Sequence, residues 1–195
     1  MLHLCMNIHR YDTSLLRNQI TKRHFFRWLI VIFNGPDERR IQQVGPNRAC
    51  AEWLLKNGAS VRWKGSSEYL TDYNLLPKDD FTHKIQSVDA TGAAIHHIGF
   101  QNFSGCEDVE EVKLVQCPYI ENAAMPALLI LKDTLKKLEV IECRNVTDEG
   151  LLELKNLRNL ESLKLGGDMP YLKDKSNLLS QLSHALPNCK ISYDE

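Results

Sequence analysis

Val109-Glu110-Glu111-Val112-Lys113-Leu114-Val115-Gln116-Cys117 is followed, 26 residues on, by Leu135-Lys136-Lys137-Leu138-Glu139-Val140-Ile141-Glu142-Cys143. The apolar positions coincide one for one, and Ile120 and Val146 extend the match. Leu160, Leu163 and Leu165 continue the series 25 residues after Leu135, with Asp168 where the cysteine would fall. Upstream, Ile85, Val88, Ala90 and Ala93 form a weaker copy 24 residues before Val109. Downstream, Leu186, Cys189 and Ile191 stand 26 residues beyond Leu160, Leu163 and Leu165 and read as a terminal strand.

Leu-x-x-Leu-x-Leu-x-x-Cys at a period of about 20–29 residues is the leucine-rich-repeat pattern. It predicts an α/β fold: a leucine-rich-repeat solenoid of parallel strands with helical returns over residues 62–195, about four repeats plus a terminal helix and strand. In Leu-x-Leu both apolar side chains lie on one face of a short strand and point inward. The cysteine falls where the chain turns away, where a small buried thiol suits a place beside backbone amides that need partners. Three stretches are expected as returns: 121–131, the segment after Cys143 with Asn145-Val146-Thr147-Asp148 as its N-cap, and 174–186. No single repeat buries its apolar face alone, so stacking supplies the core.

The position between the two inward residues reads Asp89, Lys113, Glu139, Lys164, alternating in sign. With strands about 4.8 Å apart this is either a ladder of paired charges or ordinary solvated charge. The next column, Thr91, Val115, Ile141, Gly166, sets two adjacent aliphatics on the exposed concave face and points to a protein partner.

The 195 residues carry 24 Lys+Arg against 25 Asp+Glu, a balance that excludes a highly basic nucleic-acid binder and a disordered chain. The charge is uneven, however. Residues 1–36 hold Arg10, Arg17, Lys22, Arg23 and Arg27 against Asp12 alone. Rich in Arg, Ser and Thr and poor in acids, residues 1–24 are expected to be a mitochondrial transit peptide. Phe25–Phe33 is too short, and interrupted by Arg27, to span a bilayer of roughly 30 Å. It reads as the first turns of the mature chain or the end of the leader, or as a segment lying on a membrane surface. Residues 25–61 are expected to be a small helical N-terminal cap: one helix from Pro36 to Val44 and a second bearing Ala49, Trp53 and Leu54, stopped at Asn57-Gly58. Ala59–Trp63 reads as a strand, and 73–77 as a turn-rich connection. Cys5, Cys50, Cys106, Cys117, Cys143 and Cys189 show no Cys-x-x-Cys pair and are expected as reduced thiols in an interior compartment.

Catalysis finds no support. His96-His97 are adjacent, nothing basic flanks Cys106, and phosphate loops, nucleophile elbows and metal-protease motifs are absent. Neither a small-molecule substrate nor a nucleic acid is expected.

The run Val44-Gly45-Pro46-Asn47-Arg48-Ala49 with Glu52-Trp53-Leu54-Leu55, Gly58-Ala59 and Val61-Arg62 resembles the mitochondrial ATP synthase subunit s (coupling factor B) family. Asp72-Tyr73-Asn74, Lys84-Ile85-Gln86, Asp89-Ala90-Thr91, Ile98-Gly99-Phe100 and Asn145-Val146-Thr147-Asp148 continue the likeness over about residues 25–190. The resemblance implies a peripheral protein on the matrix side of the mitochondrial inner membrane, without a catalytic centre. It implies as partners the membrane-sector subunits of ATP synthase, where the protein blocks a proton leak and keeps proton transport coupled to ATP synthesis. It further implies weak Mg2+ binding by the backbone carbonyls of Gly58 and Thr91. Read from the residues alone, Gly58 equally suits a left-handed helix stop and Thr91 a strand end. The family's Cys-x-Cys pair is missing, because Val115 replaces the first cysteine and leaves Cys117. Two alternatives share the repeat pattern: an inner-membrane assembly factor for respiratory complex I, and a generic leucine-rich-repeat adaptor. An F-box receptor is disfavoured by the short segment before the first strand.

Overall fold

The structure, a computed structural model, describes residues 29, 32–77 and 82–194. The expected leader and most of the apolar stretch after it lie outside the described residues.

Residues 32–34 are helical, and two helices follow them, α1 (Glu38–Val44) and α2 (Pro46–Lys56). Asp37 caps α1, its carboxylate accepting from the Arg40 N–H at 3.0 Å. Pro46 opens α2, where its missing N–H leaves no bond unmade. α2 buries Ala49, Cys50, Ala51, Trp53, Leu54 and Leu55 and stops at Asn57-Gly58, Gly58 taking the left-handed φ of 84°.

Strands β1 (Ser60–Trp63), β2 (Tyr69–Leu70), β3 (Ile85–Asp89), β4 (Glu111–Val115), β5 (Lys137–Ile141), β6 (Ser162–Gly166) and β7 (Lys190–Asp194) form one sheet. Its spatial order is β2-β1-β3-β4-β5-β6-β7, and from β3 onward every neighbouring pair is parallel. The fold is therefore α/β with a mostly parallel sheet. Val112 pairs with Leu138, Leu138 with Leu163 and Leu163 with Ile191; Leu114, Val140, Leu165 and Tyr193 form the parallel column. The 26-residue offset from β4 to β5 and the 25-residue offset from β5 to β6 are thus the strand register itself, whereas β7 pairs two residues later than its 26-residue spacing predicts, with Ile191 rather than Cys189 opposite Leu163. Val112, Leu114, Leu138, Val140, Leu163 and Leu165 share one interior, backed by Met125, Leu128, Leu131, Leu151 and Leu154.

Three local expectations are corrected. The strand at Ala59–Trp63 exists, but it lies second in the sheet, antiparallel to both β2 and β3, with a bulge between Arg62 and Trp63. A hairpin needs only a tight turn, whereas a parallel pairing needs a crossover, and the few residues before β2 allow the former alone. The line drawn at 61/62 therefore falls inside β1. The returns, secondly, are mostly short. α3 (Ala124–Ala127) and α4 (Asp148–Leu152) each pass into a 3-10 turn, and the return after β3 is a 3-10 helix throughout, His97–Phe103. Rising about 2.0 Å per residue, a 3-10 turn covers the rung in fewer residues than an α-helix. Among the described returns, α5 (Lys175–Ala185) is the long helix. Thirdly, Thr147 stands at the N-cap of α4 without capping it; its hydroxyl accepts from Asn122 Nδ2 at 2.9 Å instead.

The turn after each strand repeats at atomic detail. Gly92, Gln116, Glu142 and Gly167, one per rung, have φ of 67°, 53°, 52° and 70°. Each donates its N–H to the carbonyl closing the next strand: Val115 at 2.8 Å, Ile141 at 2.9 Å, Gly166 at 3.0 Å and Asp194 at 3.0 Å. One residue further, the Cys117 thiol donates to the Ala90 carbonyl at 2.9 Å and the Cys143 thiol to Leu114 at 3.3 Å. The repeat cysteine thus satisfies a buried carbonyl of the preceding rung, and Asp168, in the same place one rung later, is exposed and pairs with Arg144 at 2.7 Å. Gln116 and Glu142 occupy a backbone region that costs a side-chain-bearing residue about 1–2 kcal/mol. Gln116→Gly and Glu142→Gly are each expected to stabilise the chain by about 0.5–1 kcal/mol after the greater unfolded-state freedom of glycine is set against the relief. Chemical denaturation of both variants checks this.

Candidate functional site

The exposed sheet face is a field of matched charges. Glu111 at the start of β4 accepts from Arg62 Nη2 of β1 at 3.1 Å and from Lys137 Nζ of β5 at 2.7 Å. Glu110 beside it accepts from Lys136 at 2.8 Å and Gln86 at 3.2 Å, and Lys64 pairs with Asp108. The hydrogen bond from Lys137, with Arg62 behind it, holds the Glu111 carboxyl below the usual range although burial pushes the other way. Lys136 does the same for Glu110.

The column anticipated from the sequence, Asp89, Lys113, Glu139, Lys164, closes only in part. Lys113 pairs with Glu139 at 3.7 Å, while Lys164 turns to Asp194 of β7 at 2.6 Å. Asp89 instead accepts from the Thr91 N–H and hydroxyl at 3.0 and 2.6 Å. The stronger ladder lies at the strand entrances, two positions before the column that periodicity singles out. Val115 and Ile141 are neighbours on this face and half-buried, Thr91 is exposed and Gly166 buried, so the apolar strip is two residues wide.

β1 and β3 pair Ser60 with Asp89, where their ladder ends, so Gly58 stands two residues before β1 and Thr91 two residues beyond the end of β3. Close by, the Ala94 N–H donates to the Asn57 carbonyl at 2.8 Å and ties the two segments. Main-chain carbonyls such as those of Gly58 and Thr91 are oxygen ligands of the kind a hard cation such as Mg2+ takes, while the Asp89 carboxylate is engaged by the Thr91 N–H and hydroxyl. Among the described residues no group of three or more His, Cys, Asp or Glu side chains is gathered as metal ligands.

Two buried polar centres carry no periodic signal and escaped the sequence reading. Asn34, fully buried, accepts through Oδ1 from Trp53 Nε1 at 3.1 Å and the His96 N–H at 2.9 Å. Its Nδ2 donates to the Ala94 carbonyl at 3.2 Å. Glu52 of α2, buried, is held by Arg40 at 2.9 and 2.7 Å and by Arg48 at 3.2 Å. The signal for Glu52 was available: Arg48 and Glu52 are four residues apart, on one face of a helix. Burial pushes the Glu52 carboxyl up, and the hydrogen bonds and charge of Arg40, with Arg48 and Lys56, outweigh it and hold the group below its ordinary value. Its contribution to stability is therefore complete above about pH 4.3 and is lost as pH falls through the depressed value. Glu52→Gln is expected to cost about 1–2 kcal/mol at pH 7, reduced from the fully buried case because Arg40 is partly exposed. The variant should also show a shallower loss of stability below pH 4.3; denaturation midpoints across pH 3–7 decide it.

On the helix side, a cleft of ≈ 390 Å3 lies between α4 and α5, lined by Asp148, Leu152, Tyr171, Lys173 and Leu178 among others. Asp148 closes it by accepting from the Lys173 and Asp174 N–H groups at 2.8 and 3.1 Å. The described cysteines are all free thiols, and the neighbouring Cys143 together with burial pushes the Cys117 thiol up. Among the described residues no helix is long and apolar enough to cross a membrane.

No protein-family profile matches the chain. It is similar to the human protein named ATP synthase subunit s, mitochondrial, at 42% identity over 173 residues, covering 87% of this chain and 86% of that one. The proteins of the same name from Rattus norvegicus (43% over 173 residues, 87% and 86% covered) and Bos taurus (40% over 176 residues, 88% of each) are similarly close. At this identity, sustained over nearly the whole of both sequences, the chain belongs to the family of mitochondrial ATP synthase subunit s.

Proposed function

We propose that this chain is a non-catalytic, peripheral subunit of mitochondrial ATP synthase, docked on the matrix side of the inner membrane against membrane-sector subunits. There it blocks a proton leak, so that proton flow remains coupled to ATP synthesis. The observation that carries the reading is its likeness, over 87% of the chain, to proteins named ATP synthase subunit s. Two physical features support it. The outer sheet face spends its charges on one another, as suits a docking scaffold better than a site for a charged small ligand. The rungs are leucine-rich repeats and α1 and α2 their N-terminal cap, an arrangement that presents surfaces rather than a reaction centre.

The Gly58 and Thr91 carbonyls hold a weakly bound Mg2+, which would clamp the end of α2 to the end of β3. Titrating the chain with Mg2+ should shift the amide signals of Gly58 to Ala59 and Thr91 to Gly92 with a dissociation constant on the order of 10⁻⁴–10⁻³ M, as for sites poor in carboxylates. Signals that stay fixed to tens of millimolar would remove the site without touching the main reading.

The main reading is tested by affinity purification of the tagged chain from detergent-solubilised mitochondria. Recovery with ATP synthase membrane-sector subunits is expected, together with a raised proton leak that oligomycin suppresses when the chain is depleted. Recovery with complex I subunits and not ATP synthase would make it an assembly factor instead.

A further inference from the structure

Between the turn that leads into β6 and the turn from α5 into β7 lies a cleft of ≈ 480 Å3. Lys155, Arg158, Leu160, Leu186 and Pro187 belong to its walls, and among the described residues no carboxylate lines it. Leu160 and Leu186 are buried, whereas both cations are exposed. The two walls are tied down. Asn159, beside Arg158, donates through Nδ2 to the Lys132 and Asp133 carbonyls at 3.1 and 3.2 Å. On the other side the Cys189 N–H donates to the Leu186 carbonyl at 3.0 Å.

Two rungs earlier the same place carries the opposite charge. A cleft of ≈ 250 Å3 between the turns into β4 and β5 is lined by Glu107 and Asp133 and by no cation. Asp133 and Arg158 are 25 residues apart, the offset that relates β5 to β6, so they occupy one repeat position with its sign reversed.

Cations on the sheet face are spent on neighbours: Arg62 and Lys137 on Glu111, Lys136 on Glu110, Lys164 on Asp194. Lys155 and Arg158 have no carboxylate partner among the described residues. The acids that flank them in the chain are engaged elsewhere. Glu153 accepts from Asn156 Nδ2 at 3.4 Å, and the charge of Glu161 bears on Lys136 and Lys137. Two unspent cations beside an apolar wall match an amphiphile with an anionic head: phosphate oxygens take the charge-assisted hydrogen bonds, and carbon covers the leucines. A small free anion would use the cations and leave that wall wet.

Resting on the peripheral inner-membrane reading given above, we propose that this cleft seats the phosphodiester headgroup of an anionic phospholipid. Lys155 and Arg158 hold the phosphate, and Leu160, Leu186 and Pro187 pack against the glycerol and the first acyl carbons. The end of the solenoid far from α1 and α2 thereby faces the membrane surface.

Flotation of the full chain with phosphatidylcholine vesicles should show strong binding when they contain cardiolipin and little when they do not. Lys155→Gln with Arg158→Gln should weaken binding to the cardiolipin vesicles roughly thirtyfold, with the thermal midpoint unchanged. The same loss of charge away from the cleft, Arg144→Gln with Lys173→Gln, should cost about threefold at most. Dihexanoyl phosphatidylglycerol, kept below its micelle concentration, should shift the amide signals of residues 155–160 and 185–189 and leave those of Glu107 and Asp133 in place. Equal losses in the two double variants overturn the proposal, as do cleft signals that ignore the short-chain lipid. Signals that answer as strongly to inorganic phosphate overturn it too, since they would make this a site for a small anion. None of these outcomes touches the recovery with ATP synthase subunits, which is read separately by co-purification.

Discussion

Leu138→Ala is expected to destabilise the chain by about 3–5 kcal/mol. Leu138 stands in the middle of the parallel array, paired with Val112 on one side and Leu163 on the other, and is 1% exposed. Truncation removes three carbons, the γ methine and both δ methyls, and the neighbours cannot close the gap because each is held at its own register position in β4 and β6. The loss is therefore transfer free energy plus an open cavity, at the upper part of the range for leucine truncations. A typical domain has about 5–15 kcal/mol in total, so the variant should approach its unfolding threshold at physiological temperature. Urea denaturation should show a lower midpoint with an unchanged slope. Ile141→Ala, at the end of the same strand but on the outer face, serves as the control and should cost well under half as much. Equal losses at the two positions would mean that the stacked interior does not carry the fold.

That contrast shows what periodicity reports. The alternation of Leu138 and Val140 with Glu139 and Ile141 states which side is inside, and its recurrence 26 residues from Val112 and Leu114 states the register. Both were legible because burial between identical rungs imposes the same residue type each time. Charge carries no such imposition. The column Asp89, Lys113, Glu139, Lys164 looks like a ladder, yet Asp89 finds the nearer Thr91 hydroxyl and Lys164 reaches diagonally to Asp194. The firm ladder at Arg62, Glu111 and Lys137 involves an antiparallel strand whose direction no repeat announces. Gln116 and Glu142 escaped for a different reason: their left-handed backbone is dictated by the turn, and neither residue type advertises it as Gly92 and Gly167 do. Gly58 and Thr91 were named from resemblance alone, and the β1–β3 ladder, which ends at Ser60 and Asp89, stops short of both.

The second large effect is expected at Asn34, where the chain first enters the described fold. Its side chain is one of the few polar groups buried completely, and it joins three segments far apart in sequence. Oδ1 holds the Trp53 indole N–H of α2 and the His96 main-chain N–H; Nδ2 holds the Ala94 carbonyl; its own carbonyl accepts from Asn102 Nδ2 at 3.2 Å. Asn34→Ala leaves the indole, the His96 amide and the Ala94 carbonyl without this partner in a dry place. Each such group costs about 1–3 kcal/mol, so a loss of about 3–5 kcal/mol is expected once water partly fills the gap. Asn34→Asp separates the two halves of the role. It keeps the acceptor for Trp53 and His96 but loses the donor to Ala94 and buries a carboxyl beside a carbonyl. That variant should be nearly as unstable at pH 7 and recover in part as the pH drops and the carboxyl takes up a proton. Gly99→Ala probes the same place from the other side, since a Cβ there would lie 2.3 Å from the Trp53 ring and 2.8 Å from Asn34 Oδ1. It should displace the indole, seen as a shifted Trp53 side-chain N–H resonance, and cost about 2–3 kcal/mol through overpacking. If Asn34→Ala unfolds at the wild-type midpoint, the entry segment is dispensable and α2 is held by Leu54 and its apolar neighbours alone.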